Sequence, residues 1–418
     1  MRTSPGWLLL IGIILLLDLY VFQGLKVVAA GWAPRTRQMV FVLYWALAIA
    51  SILLLVFLPL LTADAQARGL RTPLFALIMG AFFAKVITAI FLLIDDIRRG
   101  LQWVATKTIF SGTDVGGADA AGGISRSLFL TWLGIAAGGT LFATLVAGFR
   151  NKYNYRIHRV PLQFSNLPSS FHGLKVVQLS DIHSGSFTNK AAVQQGVDQV
   201  LALKPDVIFF TGDLVNNIAT EIEPYVDVFN KLQAPLGVYS ILGNHDYGDY
   251  FQWETPDKKI ANLDRLKKLH AQMGWRLLLN EHVVLEKGGE KIGVLGVENW
   301  SNRARFPKYG KLQIAHQNTQ DLPFKILLSH DPSHWEAQVV PQYKDIDLML
   351  AGHTHGMQFG VEIPWLKWSP VQYVYKQWAG LYKNETQHLY VNRGFGFIGY
   401  PGRVGILPEI TLLQLNKI

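Results

Sequence analysis

Hydrophobic positions are arranged in two different ways along this chain, and the change falls near Phe149. Before it, four apolar stretches approach or exceed the roughly 20 residues that cross a bilayer core as helix. They are Trp7–Phe22, Met39–Leu61, Leu74–Ile94 and Leu128–Phe149. After it, short apolar runs alternate with polar, helix-like segments. Leu174–Leu179, Asp206–Thr211, Val238–Leu242, Lys291–Val297, Lys325–Ser329 and Asp347–Ala351 predict buried strands, with later strands at His388–Val391 and Glu409–Leu415. Ala191–Leu203, Glu221–Leu232 and Lys258–Leu269 predict helices. This alternation implies a layered α/β domain. The expected organisation is a four-helix transmembrane region over 1–150, a linker and leading strand over 151–172, and an α/β domain over 173–418.

The first stretch has no small-residue cleavage site after it, and three more follow, so it reads as a retained span rather than an export signal. Asp18 and Lys85 each lie about a dozen residues into the first and third spans. Those two helices run the same way in a four-helix meander. Both charges then reach a depth of about 18 Å at 1.5 Å per residue. An unpaired charge at that depth is costly, so the two are expected to pair. A structural ion pair is favoured over an ion path. Gly134 and Gly138 in the fourth span form a small-xxx-small pattern suited to close helix approach. Lys and Arg do not decide the topology, because the alternate loops carry seven each. Ser125–Leu130 is similar to a twin-arginine export signal with one arginine missing, which favours an external catalytic domain. Gly112–Gly123, rich in Gly, Ala and Asp, reads as a flexible connector.

Composition changes the picture in three ways. Half of the 418 residues are hydrophobic and mean hydropathy is +0.19, which fits the membrane region. The chain has no cysteine, so disulfides, thiolate ligands and a Cys nucleophile are excluded. The net charge of +9 suits phosphate-bearing substrates or anionic lipid. No long Lys/Arg run or nucleic-acid module accompanies it, and no nucleic-acid partner is expected.

The chemistry lies where the strands end. Five predicted strands run into Asp181-Ile182-His183, Gly212-Asp213, Gly243-Asn244-His245-Asp246, His330-Asp331-Pro332 and Gly352-His353-Thr354-His355. Sites of open α/β sheets form at the carboxyl ends of strands. Asp and His offer oxygen and imidazole ligands for Mn²⁺, Fe or Zn²⁺. In an extended segment the Asp-x-His and His-x-His spacings put both side chains on one side. A shared carboxylate such as Asp213 is able to bridge two ions. One such cluster alone is usually an ordinary turn or strand end; five in succession, each after a buried strand, are hard to explain by chance. The remaining histidines, His158, His172, His270, His282, His316, His334 and His388, read as surface or core residues.

At these residues the chain resembles the calcineurin-like metallophosphoesterase family, over about Gln163 to Leu415. Leu162–Pro168 with Phe171–Lys175, Arg393-Gly394-Phe395-Gly396 and Pro408-Glu409-Ile410 resemble the membrane-associated bacterial branch. The resemblance implies a four-layer β-sandwich flanked by helices, preceded here by four transmembrane α-helices, in place of an open sheet. It implies that Asp181, His183 and His355 hold one divalent ion, that Asn244, His330 and His353 hold the other, and that Asp213 bridges them. His245 is the implied proton donor to the leaving group, and Asp246 the residue that orients it. Two divalent ions, manganese before iron or zinc, would activate a bridging hydroxide for attack on phosphorus. The expected partner is a phosphoester substrate. The expected location is a multi-pass bacterial cytoplasmic membrane protein.

Fold and motif do not name the substrate. Pro364–Trp368 and Val371–Trp378 are aromatic and basic and follow directly from His355. They fit either a membrane-facing edge that admits a lipid-linked phosphate or a packed surface flap. The resemblance extends to lipid pyrophosphatases acting on UDP-2,3-diacylglucosamine. An alternative of another class is a membrane sensor or transporter with a regulatory phosphoesterase domain.

Overall fold

Four short strands rich in Val, Ile, Leu and Phe, nearly all of whose residues are buried, form the centre of two mixed sheets. The computed structural model describes residues 5–57, 65–108 and 126–418. The Gly112–Gly123 connector and Ser125 lie outside the described residues. The chain divides into two units, Met1–Ala147 and Gly148–Ile418.

In the first unit the helices are α1 (Pro5–Val28), α2 (Pro34–Phe57), α3 (Ala65–Thr108) and α4 (Arg126–Gly148). All four are long and apolar enough to cross a membrane. The third outruns its apolar stretch by more than three turns. There Asp95 pairs with Arg98 at 2.7 Å and Arg99 at 3.2 Å, contacts between neighbouring turns of the helix. Gly134 and Gly138 face α3: a methyl group at Gly138 would collide with the Ala84 carbonyl and the Thr88 hydroxyl. That hydroxyl donates to the Gly134 carbonyl at 3.1 Å.

Asp18 and Lys85 do pair, with Nζ 2.5 Å from Oδ1, and Asp18 is fully buried. Tyr44 donates to the same Oδ1 at 3.1 Å. Removing one partner leaves the other charge buried and alone, which costs more than removing both. Asp18→Asn and Lys85→Met are each expected to lower the thermal midpoint in detergent. The double variant should recover a coupling of about 1–3 kcal/mol. Additive losses would show that the pair contributes nothing.

The second unit holds fourteen strands. One six-stranded sheet has the order β1 (Arg156–Phe164), β14 (Glu409–Lys417), β2 (Leu174–Leu179), β3 (Val207–Phe210), β4 (Val238–Ser240), β5 (Arg276–Leu277). The other has the order β12 (Gly380–Asn384), β13 (Gln387–Val391), β9 (Leu348–Ala351), β8 (Lys325–Leu328), β7 (Glu290–Gly296), β6 (Glu281–Lys287). A small hairpin, β10 (Val361–Ile363) and β11 (Leu366–Trp368), stands apart from both. β2, β3 and β4 are parallel, and so are β7, β8 and β9.

Alternate residues of these strands face opposite ways, and both directions are buried. Val176, Phe209, Ile326, Leu328, Leu348 and Leu350 meet in the core between the sheets. Val177, Ile208 and Phe210 face outward onto α5 (Lys190–Ala202), α6 (Val226–Phe229) and α7 (Pro256–Gln272). Leu327, Met349 and Leu389 face the other way, onto Leu312, Trp335 and Val339. The result is the four-layer sandwich that the resemblance implies.

One local expectation changes, and the leading strand expected within 151–172 is present. The helix expected over Glu221–Leu232 is broken into short turns and the four-residue α6. The segment before Gly173 contributes a nine-residue strand, β1, which accommodates Pro161 because it lies at the sheet edge.

Candidate active site

β2, β3 and β4 end at one edge of their sheet, β8 and β9 at one edge of theirs. The five polar clusters that follow these strands meet there. Asp181, His183 and His355 offer ligand atoms all within 4.8 Å of one another, and so do Asp213, His330 and His353. Among the described residues no other group of three His, Asp or Glu does so. The seven histidines set aside from the sequence stay outside both groups. His270 and His334, for example, are buried and bonded to Ser240 and Ser329.

The clusters reach the site through sharp turns rather than extended chain. Asp181, His183, Asp213, His353 and His355 all have positive φ, between 47° and 71°. Such non-glycine conformations cost free energy and gather at functional sites. Strand alternation is therefore not what brings Asp181 beside His183; two left-handed residues do. Gly352 must be glycine because a Cβ there would collide with the Ser180 hydroxyl and the Asp181 carboxylate.

Asp213 lies between the two groups. Its Oδ2 is 3.0 Å from His330 Nε2 and 3.6 Å from His183 Nε2, while Oδ1 accepts the His245 N–H at 2.8 Å. Asp181 Oδ1 is 3.2 Å from His355 Nε2, and both its oxygens face the His353 N–H. Burial would lower the His330 pKa, but the Asp213 carboxylate outweighs it and raises it to about 10. His183 is pushed well down by burial and keeps a neutral ring.

Several buried polar atoms at the site have no hydrogen-bond partner. Both ring nitrogens of His183, Nε2 of His355 and Oδ1 of Asn244 are buried and have no hydrogen bond. Unpaired buried lone pairs are rare and need an explanation. Four imidazoles (His183, His330, His353 and His355) and an amide oxygen beside two carboxylates are a donor set for divalent ions. The residues present fit two metals.

Surrounding groups fix which nitrogen is free. His330 Nδ1 donates to the Thr211 carbonyl at 2.7 Å, leaving Nε2 for the site. His353 Nε2 lies 2.9 Å from the Tyr375 hydroxyl, which donates to Asp331 Oδ2 at 3.1 Å. The ring nitrogen therefore donates to Tyr375 and leaves Nδ1 as the lone pair. That Nδ1 lies 3.3 Å from His330 Nε2, inside the same group. Such outer contacts typically carry about 10–100-fold in metal affinity. Tyr375→Phe is expected to weaken metal retention by that factor with little loss of fold. Titration with a chelator measures it, and unchanged retention would remove Tyr375 from this role.

His245 is half-buried at the mouth, beside the His183 ring at 4.9 Å and Tyr250 at 4.6 Å between ring centres. Its Nδ1 donates to the Asn216 carbonyl at 2.7 Å. This corrects the role expected of Asp246. The Asp246 carboxylate instead accepts the N–H groups of Asp213 (2.9 Å), Leu214 (2.8 Å), Val215 (3.3 Å) and Gly243 (2.8 Å). It fixes the turn that carries Asp213, and Asn216 orients His245.

Sequence reasoning missed Asn216, Tyr375 and Arg403. Asp331, next to His330, was the nearest signal for the Tyr375 contact. Arg403 is fully buried, and burial pulls its pKa down to about 9. It donates to the carbonyls of Arg393 at 2.7 Å, Gly394 at 3.1 Å and His355 at 3.3 Å, and lies 3.3 Å from His355 Nδ1. The Arg393 and Glu409 motifs form an ion pair at 2.6 Å that closes β13 onto β14.

Comparison with known proteins gives the same reading. The model of the calcineurin-like phosphoesterase family matches residues 174–357. A second, described as a probable calcineurin-like phosphoesterase transmembrane domain, matches residues 1–152. A Danio rerio transmembrane protein with metallophosphoesterase domain is 31% identical, over 62% of this chain and 56% of its own length. The chain thus spans little more than half of that relative. An uncharacterised metallophosphoesterase of Bacillus subtilis is 31% identical, over 61% of this chain and 84% of its own. The UDP-2,3-diacylglucosamine pyrophosphatase LpxG of Chlamydia trachomatis is 28% identical, over 60% of this chain and 86% of its own.

Proposed function

The chain belongs to the calcineurin-like phosphoesterase family and is a multi-pass membrane phosphoester hydrolase, and from that premise we propose that it cleaves phosphoester or pyrophosphate bonds at a dinuclear metal centre. Asp181, His183 and His355 would hold one ion and Asn244, His330 and His353 the other, with the Asp213 carboxylate available to both. The single observation that carries this is Asp213 Oδ2 standing between His183 and His330, with the buried lone pairs of His183, His355 and Asn244 left unpaired around it. Two divalent ions supply an activated water and positive charge for the phosphoryl oxygens. Manganese is the proposed metal, since the set mixes imidazole with carboxylate and amide oxygen.

The chain's own residues do the rest. Asp181 and Asp213, held by the backbone N–H groups of His353 and His245, keep a fixed geometry that needs no reorganisation during reaction. His245 presents Nε2, the nitrogen not spent on Asn216, to protonate the departing oxygen. Hydrolysis of bis-p-nitrophenyl phosphate by detergent-purified protein, chelated and then resupplied with Mn²⁺, tests this. Activity should vanish and return. Folded protein inactive with every divalent metal would favour the sensor reading instead.

A second, narrower reading is a lipid-linked substrate in a bacterial cytoplasmic membrane. It draws on the aromatic segment that follows His355 and on the lipid pyrophosphatase among the relatives. Trp365, 81% exposed, is available to an acyl or headgroup region. Trp365→Ala and Trp368→Ala are expected to slow turnover of a lipid-linked pyrophosphate while sparing the nitrophenyl diester. Equal rates on both substrates, before and after substitution, would remove the lipid.

A further inference from the structure

The last turn of the fourth span belongs to the catalytic unit. That span runs Ser127–Asn151, and residues from Gly148 onward pack within the second unit. The Arg403 N–H donates to the Gly148 carbonyl at 3.0 Å, Asn151 Nδ2 donates to the Arg403 carbonyl at 3.2 Å, and the Phe149 ring packs tilted against Tyr400 with centres 5.6 Å apart. The Arg403 segment therefore packs on the chain where the fourth span ends.

The same segment carries the β10–β11 hairpin. Val404 N–H donates to the Gln358 carbonyl at 2.8 Å, Gly360 N–H donates to the Val404 carbonyl at 2.9 Å, and Phe359 bridges Val404. Neighbouring extended chains lie about 4.8 Å apart. Two such steps place the base of the hairpin on the order of 10 Å from Gly148. Five residues of chain then reach Trp365, at most about 17 Å farther.

This hairpin and the turn after it are where the catalytic unit leaves its apolar surface uncovered. Of the fifteen exposed large hydrophobic side chains described from residue 148 onward, seven fall within residues 357–374. They include Trp365 at 81% exposure, Tyr373 at 78% and Met357 at 58%. Scattered single exposures are ordinary, whereas a contiguous patch marks an interaction surface. Trp and Tyr beside Lys are the side chains that settle at the headgroup level of a bilayer.

Glu362 in the hairpin is neutralised by Arg393, and the loop beside the patch carries cations. Arg303 donates to the Val374 carbonyl and stands over the Tyr375 ring at 5.1 Å, which ties the 300–309 loop to the hairpin side. Arg305 and Lys308 follow on that loop, over Phe306 at 4.6 Å and Trp300 at 4.7 Å. None of these three cations has a carboxylate partner among the described residues. Unneutralised cations beside exposed aromatics complement anionic headgroups.

We propose that the edge formed by residues 357–374 and the Arg303–Lys308 loop seats on the anionic surface of the bilayer that holds the chain. Seating turns the metal-ligand clusters toward the membrane, since the hairpin begins six residues after His355 and Phe306 packs on His353 at 4.7 Å. The proposal concerns where the unit docks and does not depend on which phosphoester it cleaves.

The absence of cysteine makes the test direct. Tyr373→Cys and Glu286→Cys are made in the full chain, labelled with an environment-sensitive fluorophore, and reconstituted into vesicles of phosphatidylglycerol with doxyl-labelled lipid. Glu286 is the control. It pairs in register with Lys291 at the amino end of β7, the end away from the site, and is exposed. Turnover of bis-p-nitrophenyl phosphate by each labelled protein reports the enzyme reading separately. The label at 373 should shift to the blue and lose emission to the doxyl lipid, and the label at 286 should do neither. Adding Trp365→Asp, or replacing phosphatidylglycerol by phosphatidylcholine, should reverse the quenching at 373. Equal quenching at both positions, quenching at neither, or a blue shift at 373 without quenching, as a protein partner would give, overturns the proposal.

Discussion

Asp213→Asn is expected to lower phosphoester hydrolysis by about 10³-fold or more, some 4 kcal/mol of transition-state stabilisation. The loss follows from the position of one oxygen. Asp213 Oδ2 is the atom shared between the groups, within 3.0 Å of His330 Nε2 and 3.6 Å of His183 Nε2. An amide in its place presents either a neutral oxygen or an NH₂ group to those imidazoles, and neither holds two cations together. The other oxygen accepts the His245 N–H, a bond that asparagine is able to keep. The substitution therefore removes charge while leaving the turn in place. Circular dichroism should be unchanged and activity lost. Retained activity at near wild-type level would show that Asp213 is not the shared ligand.

His245→Ala is expected to cost about 10²–10⁴-fold in kcat, the usual contribution of a positioned general acid, without loss of metal. The size should depend on the leaving group. A nitrophenolate departs readily without a proton, whereas an alkoxide does not. The deficit should therefore be small for bis-p-nitrophenyl phosphate and full for an alkyl diester. The geometry supports this division of labour: Nδ1 is committed to the Asn216 carbonyl, so Nε2 is the only nitrogen free to transfer a proton. A deficit equal for both leaving groups would assign His245 to phosphoryl binding alone.

Much of this site was legible in the sequence because buried parallel strands are runs of Val, Ile, Leu and Phe, and the polar residues that stop them stand out. β2, β3, β8 and β9 were placed within two residues on that contrast alone. What the sequence did not show were contacts that depend on the path of the chain between the motifs. Asp246 follows His245 directly, yet its carboxylate turns back to four backbone N–H groups at Gly243 and Asp213–Val215. Tyr375 reaches His353 from 22 residues away, and Arg403 reaches His355 from 48. Neither spacing has a period that a pattern reveals. The Asp-x-His motif pointed to the correct pair by the wrong route, since positive φ at both residues replaces the extended chain that the spacing implied. In the membrane region, by contrast, two isolated charges in apolar helices had few partners to choose from, and cost alone predicted their pairing.

The central claim is that two ions share one carboxylate in this chain, and elemental analysis of the purified, folded protein measures it most directly. Two divalent ions per chain in the wild type, falling to one or fewer in Asp213→Asn, is the predicted result. A hydrolytically active chain that carries one ion or none, with the same content in the variant, would contradict it.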